Sequence, residues 1–199
     1  MLMGLAIANV VRAADDKKPV LDPEIEKELK AAGWTDIKGS WKKVKPNIYE
    51  VTDGKLETSK TDGTLSVTVD GGHGTAGVYV RNGHEAKDYV IPGQNNMVTH
   101  IASHTGYGVE ITDEKKCEVL GPTQVPDRKP FYVPARKSEL TLKPGEKTAV
   151  SITVKDIALD IDVNGKHPIS HSTFKISKDG PFAIVVTGTM TIESPTVKD

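Results

Sequence analysis

Apolar and polar residues alternate strictly through three stretches of this chain. Leu65, Val67 and Val69 alternate with Ser66 and Thr68; Val150, Ile152 and Val154 alternate with Ser151, Thr153 and Lys155. Ile157, Leu159, Ile161 and Val163 alternate with Ala158, Asp160 and Asp162. A period of two turns one face of a strand into a core and the other toward solvent or a ligand. Asp53-Gly54, Asp62-Gly63, Asn82-Gly83, Pro144-Gly145, Asn164-Gly165 and Asp179-Gly180 fall between apolar runs. Asn-Gly and Asp-Gly reach the positive φ that tight hairpins require. The pattern predicts about twelve short antiparallel strands without a helical crossover, hence an all-β sandwich of two sheets.

One helix is signalled. Asp22 is placed to cap it, Pro23 sits at its first position, Glu24 and Glu26 lie in its first turn, and Gly33 stops it. Ile25 and Leu29 share one face of that helix. The stretch Gly121–Ala135 carries Pro122, Pro126, Pro130 and Pro134 and reads as an extended surface loop, because proline removes ladder donors.

The 199 residues suit one domain with a short appendage. With 26 Lys+Arg against 27 Asp+Glu, the net charge of −1 argues against nucleic acid as a partner, since neutralising phosphates takes a cationic surplus. Residues 1–14, MLMGLAIANVVRAA, form an apolar run of roughly a dozen residues, short of the ~20 a spanning helix needs. The run reads as a signal peptide with Val11 and Ala13 at the small positions of a cleavage site, although no Lys or Arg precedes it. A short helix or a tail is the plainer alternative. The expectation is therefore a secreted or periplasmic protein without a membrane span: a signal peptide at 1–14, an arm with a short helix at 15–40, and a β-sandwich at 41–199. Cys117 is the only cysteine, so no intrachain disulfide forms, and its alternation with Val119 marks it as a buried, inert thiol.

Ala76–Arg81 (AGVYVR), Gly106–Ile111 (GYGVEI), Lys143–Lys147 (KPGEK), Asp162–Lys166 (DVNGK), Gly180–Ile184 (GPFAI) and Thr187–Ile192 (TGTMTI) follow one another in an order that resembles the concanavalin A-like jelly-roll superfamily. Within it, the chain is most similar to secreted bacterial domains of the 3-keto-disaccharide hydrolase type. The resemblance spans about Trp41 to Lys198. It implies a jelly-roll sandwich whose concave sheet faces a carbohydrate or a cell-envelope glycan. That family's strand reads Gly-Tyr-Glu-Val-Gln-Ile; here Gly108 stands in place of its Glu and Glu110 in place of its Gln. The departure favours a non-catalytic member.

Tyr79 and Arg81 are two apart on an expected strand and so share a face, where Tyr79 offers a stacking surface and Arg81 a fork of donors. An ordinary solvated Tyr–Arg pair is the alternative. Glu110 is the candidate acceptor for sugar hydroxyls, or the acid or base if the protein is an enzyme. Laminarinase-type hydrolases carry Glu-x-Asp-x-Glu on one strand; Thr112 breaks that pattern between Glu110 and Glu114. His73, in Gly71-Gly72-His73-Gly74, stands to rim a binding site. Asp160 and Asp162, with Asn164 beyond them, are the candidate ligands for a structural calcium, but their spacing matches no calcium loop. His100 and His104 would converge on zinc only in a helix, and their surroundings read as strand. No other cofactor is implied. Three readings stand: a carbohydrate-binding or cell-surface module, a glycan-processing hydrolase, and a structural envelope protein.

Overall fold

The computed structural model describes residues 21–80, 89–90, 97–98, 107–112, 116–124, 132–143, 146–156, 158–173 and 180–199. The signal-peptide expectation, Arg81, Glu114, His100 and His104 lie outside them.

Helix α1 (Pro23–Ala31) forms where its signals put it. Asp22 caps it by accepting from the Glu24 N–H at 2.8 Å, and Ile25 and Leu29 are buried. Among the described residues twelve strands follow: β1 (Asp36–Lys45), β2 (Ile48–Glu57), β3 (Gly63–Val80), β4 (Tyr89–Val90), β5 (Met97–Val98), β6 (Tyr107–Thr112), β7 (Lys116–Gln124), β8 (Tyr132–Thr141), β9 (Thr148–Lys155), β10 (Ala158–Val163), β11 (Lys166–Thr173) and β12 (Ala183–Lys198). Every described pairing is antiparallel.

The sheet branches at β3. One edge of this long strand pairs with β12 along most of its length. The other edge pairs with β9 through Gly63–Val69 and with β6 through Thr75–Val80. One branch continues β9-β10-β11 and the other β6-β7-β8, while β12, β2 and β1 complete the far side. The branches fold over a single apolar core. Val150, Ile152, Val154, Leu159, Ile161 and Val163 line one wall; Val109, Ile111, Cys117 and Val119 line the other. The apolar positions of the alternating runs are buried as expected wherever they are described, Ile157 lying outside the described residues, and the fold is an antiparallel jelly-roll sandwich with one short helix. The sheet begins at Asp36, inside the stretch expected as an arm, and Ile25, Leu29 and Trp34 belong to the same core.

Two expectations about connections are corrected. Asp53-Gly54 is not a hairpin turn but a kink inside β2. Asp53 adopts φ 45° there, and its Oδ1 accepts from the Gly188 N–H of β12 at 2.8 Å. Gly39 of β1 (φ 87°) and Gly188 (φ 75°) kink at the same level, so neighbouring strands bend together along one crease. A bulge demands the same positive φ as a tight turn, which is why composition alone did not separate them. Likewise, Gly121–Ala135 is not a loop throughout. Strands β7 and β8 extend into it from both sides, with Pro122 opposite Pro134 and Gln124 opposite Tyr132. Two prolines can face each other at a non-hydrogen-bonded pair, where both missing N–H groups would have pointed outward, and β8 is an edge strand. Asn164-Gly165 is a true two-residue turn, both residues at positive φ.

Candidate functional site

The face of the sheet turned away from the core follows from register. Along β6, Val109 and Ile111 point inward, so Gly108 and Glu110 point outward; along β3, Ala76 and Val78 point inward, so Gly77 and Tyr79 point outward. One line of Cα partners on this outer face runs Lys38, Lys55, Val185, Gly77, Glu110, Glu118, Glu139. The adjacent line runs Asp36, Glu57, Ala183, Tyr79, Gly108, Leu120. Lysines therefore occupy one end of the first line and carboxylates the other.

The lysines are paired within the face. Lys38 Nζ lies 2.8 Å from Asp36 Oδ2, and Lys55 Nζ lies 2.5 Å from Glu57 Oε2. At the centre, Tyr79 donates its hydroxyl to Glu110 Oε1 at 2.6 Å. The structure thus joins two residues that the sequence singled out separately. Their roles differ from expectation in one respect: Tyr79 is only 1% exposed, so its ring offers no open stacking surface. Burial, followed by the charge and hydrogen bond of Glu110, raises the phenol well above its ordinary range and keeps it a donor. Glu110 is half-buried, and its Oε2 has no partner among the described residues.

Glu118 and Glu139 were not singled out from the sequence. The available signal was that three residues, 113–115, separate β6 from β7 in the sequence; Glu110 stands opposite Glu118. His73 is exposed and lies at the crease opposite Thr189. Gly77 stands opposite Glu110, so His73 is displaced ~13 Å along β3 from that carboxylate. It does not join the Tyr79–Glu110 pair. Asp160 and Asp162 sit on β10, on the other branch. Asp162 accepts from the Gly165 N–H at 3.0 Å and lies 3.2 Å from His167 Nδ1, while Asn164 Oδ1 accepts from the Ala149 N–H at 2.7 Å. These oxygens hold the β10–β11 turn. Among the described residues, no group of three His, Cys, Asp or Glu side chains is placed to hold a metal ion.

Both tryptophans are buried and their indole N–H groups are satisfied, Trp34 by Pro195 O at 2.9 Å and Trp41 by Lys38 O at 2.8 Å. Cys117 is fully buried, and burial pushes its thiol up to about 12. Tyr49 is pushed up to about 12, by burial first and then by the hydrogen bond and charge of Glu28. For Cys117, Tyr49 and Tyr79 alike, folding disfavours the ionised form. Stability is therefore full below their ordinary values near 9 and 10, and is lost as pH rises toward 12. The melting temperature is expected to stay level from pH 7 to about 8.5 and to fall steadily above about 9.5. At pH 8 the thiol should react with a chromogenic disulfide only after denaturation; fast labelling of the folded protein would contradict its burial.

No family model matches the chain, and no curated protein matches its sequence. Solved structures do. The carbohydrate binding module CBM66 from Bacillus subtilis superposes with a TM-score of 0.51 at 15% identity, covering 84% of this chain and 96% of the other. A putative glycosyl hydrolase from Parabacteroides distasonis gives 0.46 at 14% identity, over 87% and 97%. A β-1,3-1,4-glucanase (lichenase) from a mouse hindgut metagenome gives 0.46 at 9% identity, over 84% and 94%. At these identities the likeness to the module concerns the fold.

Proposed function

We propose that this chain is a secreted, non-catalytic carbohydrate-binding module that recognises a glycan on the outer face carrying Glu110. The observation that carries the proposal is the Tyr79–Glu110 pair: a buried phenol holds one oxygen of a half-buried carboxylate, and we assign the other oxygen to a ligand. Hydrogen bonds to charged acceptors contribute more than neutral ones, which suits a site that binds hydroxyls in competition with water. The fold shared with a carbohydrate binding module is consistent with this reading. Because Glu110, Glu118 and Glu139 lie in one line, the face favours neutral glycans over uronate-rich ones.

A hydrolase of the 3-keto-disaccharide type is the second reading, favoured by one observation. Glu110 and Glu118 are direct partners on adjacent antiparallel strands, which brings their Cβ atoms to about 4.5–5.5 Å. A retaining glycosidase needs its two carboxyls about 5–5.5 Å apart, a separation that side chains rising from neighbouring Cβ atoms can reach.

The test is calorimetry and product analysis against neutral gluco-, xylo- and manno-oligosaccharides, uronate-containing oligosaccharides and 3-keto-disaccharides. Saturable binding of a neutral oligosaccharide without products is expected, weakened about 10- to 100-fold by Glu110→Gln. Turnover lost in both Glu110→Gln and Glu118→Gln would make the protein a hydrolase instead. Neither binding nor turnover would leave a structural envelope role.

A further inference from the structure

We propose that Tyr79 is a positioning residue for Glu110 and that Gly77 is what makes the arrangement possible. The inference rests on the glycan-binding reading and deepens it.

The Tyr79 ring lies back over Gly77 on the outer face of β3. A Cβ built at Gly77 would fall 2.2 Å from the ring Cε2 and 2.2 Å from the hydroxyl oxygen. Glycine therefore leaves the hollow that the ring occupies. Gly77 is also the Cα partner of Glu110 on β6, so the hollow and the carboxylate stand side by side across the ladder. With its ring lodged there and 1% exposed, Tyr79 has its hydroxyl 2.6 Å from Glu110 Oε1. A phenol carries one O–H, and a carboxylate only accepts. The donor is thus spent on Oε1, the carboxylate is fixed in one orientation, and Oε2 becomes the acceptor presented to a ligand. The ligand group that fits there is a donor, which for a neutral glycan is a hydroxyl.

A side chain fixed before binding has less freedom to lose on binding, so removing the tether weakens affinity by about 3- to 10-fold. The experiment is a double-mutant cycle of wild type, Tyr79→Phe, Glu110→Ala and the double variant, read by calorimetry with the tightest-binding neutral oligosaccharide of the panel above. Tyr79→Phe keeps the ring in its hollow and removes only the hydroxyl. It is expected to weaken binding about 3- to 10-fold in the wild-type background and to change nothing in the Glu110→Ala background. Gly77→Ala, which fills the hollow, should reproduce the loss seen with Tyr79→Phe. Wild-type affinity in Tyr79→Phe, or effects that add, would overturn the inference. If the wild type binds nothing in the panel, the glycan-binding reading falls and the ligand half of this inference with it. Melting temperatures of the same four proteins then decide the pairing alone: non-additive shifts uphold it and additive shifts overturn it.

Discussion

Replacing Gly108 with alanine is expected to cost about 3 kcal/mol of stability and to break the Tyr79–Glu110 pair. Gly108 stands opposite Tyr79 on the neighbouring strand, and a Cβ built there would lie 1.9 Å from Val78 O and 3.0 Å from Tyr79 Cα. The obstacle is backbone, which cannot rotate aside as a side chain would. Strand β6 must instead part from β3 at the point where Tyr79 is held. Forcing extra atoms into packed structure costs about 1–3 kcal/mol, and here a ladder is disturbed as well. Gly165→Ala is the control. Its φ is +75° but nothing lies within 4 Å of the added Cβ, so only backbone strain of roughly 1–2 kcal/mol remains. Urea midpoints of the two variants measure the difference, at roughly 1–3 kcal/mol per molar of urea. A Gly108→Ala protein as stable as Gly165→Ala would show that β6 and β3 do not approach each other as described.

The contrast between these glycines bears on what the sequence could reveal. Gly165 follows Asn164 between two alternating runs, and its turn was legible because the chemistry is local. Gly108 sits inside a strand, and its importance comes from a partner strand about thirty residues away, which no local pattern encodes; Gly77 matters because the ring of Tyr79, two residues on, folds back over it, a side-chain placement that alternation does not specify. The same distinction explains Asp53-Gly54, whose kink matters because Gly188 of β12 lies beside it. Alternation was a reliable guide to burial: Leu65, Val67, Val69, Val150, Ile152 and Val154 all lie in the core. It also placed Tyr79 and Glu110 on outward positions. Parity could not say that the Tyr79 ring would be folded onto the sheet, nor that Glu118 and Glu139 would line up with Glu110, because both depend on register between strands. Helix α1 was read down to its cap, whereas its membership of the sandwich core was not, since that rests on Trp34 reaching the last strand.

Trp34→Ala is accordingly expected to be among the most destabilising substitutions in the chain, at about 3–5 kcal/mol. Trp34 is 1% exposed, and its Nε1 donates to Pro195 O at 2.9 Å. Beside it the Val197 N–H donates to Ala32 O at 3.2 Å, and a Cβ at Gly33 would meet Val197 O at 3.0 Å. The segment after α1 therefore seals the end of β12, and removing the indole leaves both a cavity and an orphaned carbonyl. For a domain of this size each kcal/mol shifts the melting temperature by about 2–4 °C, so a fall of roughly 6–20 °C is expected by calorimetry. Trp34→Phe keeps most of the ring volume and should lose less than half as much. The part of β12 that faces Tyr79 is Ala183, far along the strand from Pro195. Glycan affinity of Trp34→Ala measured at 10 °C, where the variant is still folded, should consequently equal that of the wild type. A weaker affinity there would mean that the helix and its tryptophan set the geometry of the outer face as well as the stability of the sandwich.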